Sequence, residues 1–216
     1  MEIVKNFIDL ILHLDQHLLS FVQHYGSLTY IILLVIILLE TGLVVTPFLP
    51  GDSLIFTAGA LSALHLLNFY VLFILLIIAA TLGDSLNYLI GNKLGRKLIK
   101  SQKINSKYIR ETEDFYKKKG PKFIVLARFI PIIRTFAPFV AGIGEMKYSK
   151  FIPYNIFGAT IWVGLMVSLG YFFGNIPVIK NHFGLLTIGI IFVSIIPIIV
   201  DLFKKFSKES KLKQNL

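Results

Sequence analysis

Two apolar segments of the chain carry charged residues of opposite sign. The first reads ETGLVVTPFLPGDSL and has one acid at its start and another near its end, while the second reads RFIPIIRTFAPFVAGIG and has two arginines in its first half. A charge at membrane depth costs about 2.5–3.5 kcal/mol even on the most lenient insertion scale, so such residues usually have a function or a specific partner. The four charged residues are Glu40, Asp52, Arg128 and Arg134.

The two arginines have the chemistry of a phosphate-binding site. A guanidinium group presents a planar fork of donors that matches a phosphate, and a helix beginning near Arg134 would add backbone donors. Arg128 and Arg134 would diverge on a continuous helix, but Pro131 lies between them and breaks it, so both can point to one phosphate. We expect this pair to bind a lipid phosphate, while Glu40 and Asp52 gate the site and exchange protons.

A structural interpretation of the same four charges stays open. In this interpretation the acids pair with the arginines and hold two helical hairpins together. Buried ion pairs add little stability, because the loss of hydration offsets most of their attraction, and apolar packing would serve as well. The sequence therefore favours a functional role, and the two roles are compatible.

Other polar and helix-breaking residues complete the candidate set. Asp84 follows Gly83 inside an apolar span, where it is either a further proton-coupling group or a buried, hydrogen-bonded carboxylate. His13 and His17 are one helical turn apart without a third ligand, so we expect no metal and no cofactor. Certain prolines and glycines are predicted to break helices or to let them pack closely: Pro47, Pro50, Gly51, Gly59, Pro131, Pro138 and Gly142.

The composition is that of a membrane protein. Of the 216 residues, 55% are hydrophobic, and several apolar runs are long enough to cross a bilayer. The formal net charge is +10, but the basic residues concentrate in one loop and in the tail, which is typical of a topology signal rather than of nucleic-acid binding. The lack of cysteine excludes disulfides and thiol chemistry. We expect no removable signal peptide.

The apolar pattern divides the chain into membrane-embedded elements. Residues 69–91 and 151–174 are predicted to be transmembrane helices, whereas the proline-broken segments 28–66 and 123–147 are predicted to be re-entrant hairpins, because irregular backbone at membrane depth must be enclosed by protein. The resulting domain prediction is an amphipathic interfacial helix (1–27), a transmembrane domain (28–175, with halves of about 28–92 and 123–175 around a basic loop, 92–122), a further transmembrane helix (176–203) and a basic tail (204–216).

The two halves repeat a residue pattern at a fixed offset of 83 positions. The basic loop and tail indicate cytoplasmic ends, so the two full spans run in opposite directions, and the side of the N-terminus is left open. The predicted fold is therefore all-α and polytopic, with two opposed re-entrant hairpins in an inverted repeat. The repeated residues are Phe56, Ala58 and Gly59 with Phe139, Ala141 and Gly142, and Tyr88, Gly91 and Asn92 with Tyr171, Gly174 and Asn175.

In these segments the chain resembles the DedA family of bacterial membrane proteins, the bacterial branch of the SNARE-associated Golgi or VTT-domain superfamily. The resemblance covers roughly residues 28–175. It rests on the two charged segments, on GDSLNYLIG (83–91) and on the glycine patch from Tyr171 to Gly174. It implies a multi-pass protein of the bacterial inner membrane that moves lipids between leaflets, with the family's functional acids and arginines at the four charged positions.

Several functions stay open at this point. The first choice is a translocase, either a flippase or a scramblase, that moves a phosphate-bearing lipid, undecaprenyl phosphate first of all, with coupling to the proton-motive force as an open question. The alternatives are a phosphatidylethanolamine translocase, a proton-coupled antiporter of small cations or drugs, and an envelope scaffold that transports nothing. An enzyme is not expected, because no nucleophile and base are arranged for one. The expected partners are a polyprenyl phosphate or anionic phospholipid and protons; homo-oligomerisation is left open.

Overall fold

A computed structural model describes residues 14–43, 51–100, 119–144 and 146–173 of the chain, together with the isolated positions 110, 113, 114, 117 and 176. This part of the chain consists of α-helices joined by short turns, which confirms the predicted all-α class. The helices are α1 (Leu14–Tyr25), α2 (Leu28–Gly42), α3 (Gly51–Ala63), α4 (Phe69–Lys100), α5 (Phe123–Ala127), α6 (Pro131–Ile143) and α7 (Tyr148–Phe173), and a 3₁₀ turn, Gly120–Lys122, precedes α5.

Two long helices form the frame of the molecule. Within the described residues, α4 and α7 are the helices long and apolar enough to cross a membrane. They are antiparallel, because the ring of Phe69 at the start of α4 lies 5.3 Å from that of Tyr171 near the end of α7. At the opposite end, the rings of Tyr88 and Phe151 are stacked with their centroids 4.8 Å apart. The apolar spans within these helices are Phe69–Gly95 and Tyr148–Phe173.

Helix α4 extends further than the sequence pattern predicts. Residues 92–100, which the prediction places in the basic loop, continue the helix to Lys100. The extension has no proline and is rich in leucine, lysine and arginine, which are good helix formers. Basic residues at a helix C-terminus also interact favourably with the helix dipole. The prediction of a loop starting at residue 92 is therefore wrong for its first nine residues.

Helices α2 and α3 form a hairpin beside α4. The start of α2 is fixed next to the start of α4, because the Tyr30 hydroxyl accepts a hydrogen bond of 2.6 Å from the backbone N–H of Asn68. The end of α2 lies next to the start of α3, where the Glu40 carboxylate lies against Gly51. The far part of α3, around Gly59, lies against the end of α7 and therefore near the starts of α4 and α2, so the chain direction reverses between the two helices. Pro47 and Pro50, predicted to cause this reversal, lie outside the described residues.

Helices α5 and α6 form a second hairpin with a three-residue turn. Pro131 occupies the first turn of α6, where its missing N–H costs nothing, and the preceding Ile130 is extended, as a residue before proline prefers. The predicted break at Pro138 is wrong, because α6 continues through it to Ile143. The proline removes one backbone hydrogen bond, and burial of its neighbours Ala137 and Phe139 stabilises the helix around it.

Helix α3 of the first hairpin crosses α7. Gly59 lies against the backbone of Val167, and Gly170 lies against the carbonyl of Phe56. A β-carbon at either glycine would overlap these backbone atoms, so the close approach of the helices requires glycine at both positions.

Helix α6 of the second hairpin crosses α4 in a corresponding manner. Gly142 lies against the backbone of Tyr88, and Gly91 lies against the carbonyl of Phe139. Each long helix is therefore crossed by the inner helix of the other half. This reciprocity is compatible with the predicted internal repeat.

The two crossings define which glycines correspond. Gly59 and Gly142 stand at the predicted offset of 83 positions. In the long helices, the glycine that corresponds to Gly91 at the crossing is Gly170. The sequence pattern instead aligns Gly91 with Gly174, about one helical turn later.

The remaining predicted elements are described only in part. The amphipathic helix predicted within residues 1–27 is described from Leu14 onward as α1, where Leu18 and Val22 pack into the apolar core formed with α2, α3 and the long helices. The predicted C-terminal helix and basic tail lie outside the described residues.

Candidate functional site

Arg134 lies at the centre of an ion-pair network formed by both hairpins. Its Nη1 donates to Asp52 Oδ1 at 2.7 Å and its Nη2 donates to Glu40 Oε1 at 2.7 Å. The guanidinium carbon also lies 4.6 Å from the centre of the Trp162 ring on α7, a cation–π contact. The side chains of Arg134 and Asp52 keep 14% and 22% of their surface exposed, so the network is buried but reachable.

Gly51 makes the approach of Glu40 possible. A β-carbon at position 51 would overlap the Glu40 carboxylate, so only glycine leaves room for that carboxylate at the start of α3. The residue predicted as a helix break therefore has a more specific role. It lets an acid from the end of α2 reach the same arginine as Asp52, which lies in the first turn of α3.

Arg128 belongs to a separate and more deeply buried network. Its Nη2 forms an ion pair with Asp84 Oδ2 and donates to Asn155 Oδ1 at 2.6 Å. Asn155 Nδ2 in turn donates to the Thr81 carbonyl at 3.0 Å. The side chains of Arg128 and Asp84 are only 3% and 6% exposed. Gly158 on α7 leaves space for the arginine, whose Cδ lies 3.1 Å from where a β-carbon would be. The turn of the second hairpin is thus fixed to both long helices.

Asn87 joins both hairpins to α4. Its side-chain amide donates to the Thr41 carbonyl at the end of α2, at 3.3 Å, and to the Thr135 carbonyl in α6, at 2.9 Å. Asn87 is fully buried. One amide therefore holds the charged ends of the two hairpins at a fixed separation.

The structure brings all the predicted charged residues to one region and divides them into two neighbouring networks. Glu40 and Asp52 pair with Arg134, whereas Arg128 pairs with Asp84. The networks also interact, since the two arginines and Asp84 lie within electrostatic range of one another. Counted at full ionisation, the three acids and two arginines carry a net charge of −1.

Sequence reasoning missed the uncharged members of these networks. Asn87 and Asn155 are amides within apolar helices, and that placement is the signal that would have pointed to them. Trp162 is the single tryptophan of the chain, and nothing in its sequence context predicts an arginine above its ring.

Several buried polar atoms of this region have no hydrogen-bond partner among the described residues. They are Glu40 Oε2, Ser53 Oγ, Thr81 Oγ1, Asn87 Oδ1 and Arg128 Nε. Buried polar atoms in native proteins are nearly always bonded to protein, water or ligand, so the region between the hairpins has the character of a polar, hydratable site. No group of three or more histidine, aspartate or glutamate side chains in the described chain is placed to hold a metal ion.

Comparison with known proteins agrees with this architecture. The VTT domain model matches residues 49–172. Protein DedA of Escherichia coli K12 is 50% identical over 211 residues, which cover 94% of this chain and 95% of that protein. A Mycobacterium leprae protein described as an uncharacterized membrane protein is 37% identical, with 82% and 81% of the two chains covered. Inner membrane protein YghB of E. coli K12 is 33% identical, with 74% of each chain covered.

No solved structure matches the chain. The relatives are named as membrane or inner membrane proteins, in agreement with the two membrane-span candidates, α4 and α7. The family model covers more than half of the chain, and the relatives extend over most of it. The chain therefore belongs to the DedA family of VTT-domain membrane proteins.

Proposed function

We propose that this protein is a lipid translocase that moves a phosphate-bearing lipid, undecaprenyl phosphate first of all, between the leaflets of the bacterial inner membrane. The observation that carries the proposal is the partly accessible Arg134, held by Glu40 and Asp52 where the two hairpins meet. A guanidinium fork matches a phosphate. Because a charge at membrane depth is costly, its presence there indicates a role.

Arg134 would bind the phosphate by exchanging partners. Both of its terminal nitrogens donate hydrogen bonds to carboxylates, so a phosphate must replace at least one of the two carboxylates. Asp52 is the more exposed of the two acids and is the natural one to be displaced. Trp162 stays under the guanidinium throughout and limits where it can move. Arg128, enclosed with Asp84 and Asn155, would mainly keep the second hairpin in position.

The charge of the region supports coupling to protons. Three carboxylates facing two arginines leave one negative charge in excess. An uncompensated charge is unfavourable in a low-dielectric interior, and one bound proton would neutralise it. Protonation of Glu40 or Asp52 would also free a guanidinium nitrogen for the phosphate. The orphaned atoms beside these groups favour bound water, through which a proton could pass.

The hairpins provide a path through the protein. We infer that they are re-entrant from opposite faces of the membrane and related as an inverted repeat, with the basic end of α4 and the C-terminal tail in the cytoplasm. The reversals of chain direction and the reciprocal crossings of α3 on α7 and of α6 on α4 support this arrangement. The site then lies between two similar halves, which suits alternate exposure to the two leaflets.

Two other functions have an observation in their favour. A zwitterionic lipid such as phosphatidylethanolamine would place its amine at Asp52 and its phosphate at Arg134, which lie side by side. A small cation could neutralise the excess negative charge in place of a proton, as an antiporter requires.

The test is lipid translocation in proteoliposomes, with undecaprenyl phosphate and phosphatidylethanolamine offered separately. The variants are Arg134→Ala and Arg134→Lys, the latter keeping the charge but losing the fork, and the matched control is Lys150→Gln, an exposed lysine at the start of α7. Loss of a charge-assisted hydrogen bond to the lipid should slow translocation about tenfold or more in both arginine variants.

Each result has a defined meaning. Movement of one lipid that is lost in both Arg134 variants and kept in Lys150→Gln supports the proposal and names the substrate. Movement of neither lipid by folded wild-type protein overturns it, and cation or drug transport in the same vesicles would then identify an antiporter. Function that survives neutralisation of Glu40, Asp52, Arg128 and Arg134 together would identify a scaffold.

A further inference from the structure

Apart from the ion-pair networks, a polar cavity lies at the end of the molecule where α4 leaves its apolar span. It has a volume of about 530 Å³ and is formed between α4, the end of α6 and the segment that leads into α7. This size suits a small ligand or the headgroup of a lipid. The cavity does not include any residue of the Arg134 or Arg128 networks. Its lining residues are Tyr88, Gly91, Asn92, Lys93, Ile143, Met146 and Lys147.

The walls of this cavity are held in place by specific contacts. The buried Tyr88 hydroxyl donates to the Met146 carbonyl, which fixes the segment before α7 against α4. Asn92 Nδ2 donates to the Gly142 carbonyl at 3.2 Å and so fixes the end of α6. Gly91 lies in the close crossing of α4 and α6. The cavity is therefore formed before any ligand arrives, which lowers the entropic cost of binding.

The charged side chains among the described lining residues are basic and favour an anion. Lys93 and Lys147 line it from two different elements, and both are exposed. No acid of the described chain lines the cavity, and neither lysine forms an ion pair with a described residue. Asn92 adds a polar group to the lining. Because both lysines line one cavity, their ammonium groups are available to the same phosphate, for which lysine acts as a point charge.

The depth of the cavity matches the phosphate level of a membrane. In the sequence of α4, Lys93 is the first charged residue after Asp84, and Arg96 and Lys97 follow it, so Lys93 lies where the apolar run of the helix gives way to headgroups. A basic pocket between helices at this level is the kind of site that binds lipid headgroups. The apolar wall of Ile143 and Met146 is compatible with the first part of a lipid chain.

We propose that this cavity binds a phosphate group, either that of an anionic lipid headgroup or free phosphate, through Lys93 and Lys147. The binding does not depend on translocation, because the cavity is separate from Arg134 and can be occupied in a protein that moves no lipid. It would give the protein a second anion site at the basic end of α4.

The test is an equilibrium titration of the purified full-length protein in neutral detergent. The probes are dihexanoyl phosphatidic acid, dihexanoyl phosphatidylcholine as the zwitterionic comparison, and inorganic phosphate as a competitor. The variants are Lys93→Gln/Lys147→Gln, the charge-conserving Lys93→Arg/Lys147→Arg, and Lys150→Gln as a matched lysine that does not line the cavity. Arg134→Ala, with Lys93 and Lys147 intact, serves to separate the two anion sites.

The double glutamine variant should bind phosphatidic acid roughly thirtyfold more weakly, since each of the two basic groups near a membrane surface contributes a factor of about five to the affinity. The double arginine variant and Lys150→Gln should bind normally, whereas Arg134→Ala should keep the component of binding that the double glutamine variant loses. Displacement by millimolar inorganic phosphate would identify a site for free phosphate, and its failure to compete would identify a lipid site. Unchanged binding in the double glutamine variant overturns the inference. So does a loss found only in Arg134→Ala, which would place the lipid at the translocation site instead.

Discussion

Removal of Asp84 should destabilise the protein more than removal of the whole ion pair to which it belongs. In Asp84→Ala, Arg128 keeps its buried position but loses the carboxylate, and its only remaining partner in the described chain is the neutral Asn155. With the arginine side chain 3% exposed, water cannot replace the lost partner without opening the structure. Breaking a buried pair from one side typically costs about 3–5 kcal/mol.

Replacement of both partners should restore most of that stability. Arg128→Met with Asp84→Leu removes both charges and refills the space with apolar side chains, a change that is often neutral or stabilising for buried pairs. The double variant also removes the donor of the Asn155 amide oxygen, and an unsatisfied buried acceptor lowers the free energy of unfolding by about 1–3 kcal/mol. The free energy of unfolding of the double variant should therefore lie within about 2 kcal/mol of the wild-type value and well above that of Asp84→Ala.

The assay is equilibrium unfolding in detergent micelles, followed by far-ultraviolet circular dichroism, for a complete double-mutant cycle. Asp114→Ala is the matched control, because Asp114 pairs with Lys117 at 3.6 Å on an exposed surface, and such pairs contribute little. The reasoning is refuted if Asp84→Ala is as stable as wild type, or if the double variant is as unstable as the single one. A stable but inactive double variant would show that the Arg128–Asp84 pair also takes part in translocation.

Three further substitutions test the packing and the site. Gly170→Ala should clearly lower the midpoint of thermal unfolding, because its β-carbon would overlap the α3 backbone. The control Gly164→Ala should be tolerated, because its β-carbon would lie 3.4 Å from a phenylalanine ring; equal midpoints for the two variants would contradict the crossing. Asn87→Leu removes the side-chain donor of one buried and one partly buried carbonyl, and it should lower the unfolding free energy by about 1–3 kcal/mol in a denaturant titration. A neutral effect would show that the amide does not hold the hairpins. Gly51→Ala should displace Glu40 from Arg134 and reduce translocation in proteoliposomes about tenfold, and undiminished transport would mean that this contact is dispensable.

The charged residues of the site could be recognised from sequence because charges are rare inside apolar segments. Their pairing could not. Which acid meets which arginine depends on the faces that the helices present to each other, and these are set by glycine crossings far along the chain. Asp84 shows the difference, since its position in an apolar helix marked it as a candidate, but nothing in its local sequence assigns it to Arg128 rather than to Arg134.

The ends of the helices were predicted less well than their existence. The sequence pattern predicts a helix break at both Pro131 and Pro138. In the structure Pro131 lies at the start of a helix, where proline is favourable, whereas Pro138 lies within that helix. Local sequence does not tell these situations apart when tertiary burial supports the helix. The long helices show a related difference: the fixed offset pairs Gly91 with Gly174, whereas Gly91 and Gly170 are the glycines at the two crossings. Identity at a fixed offset ignores small shifts of one helix along another.

The reciprocal crossings have a consequence for how the chain is made. Helix α3 is buried along most of its length, and its packing surface is supplied by α7, which leaves the ribosome much later. Until then the hairpin has an incomplete partner surface, and its buried hydroxyls, Ser53 and Thr57, lack the enclosure of the finished fold. Neither half is a self-sufficient folding unit, since each completes the other.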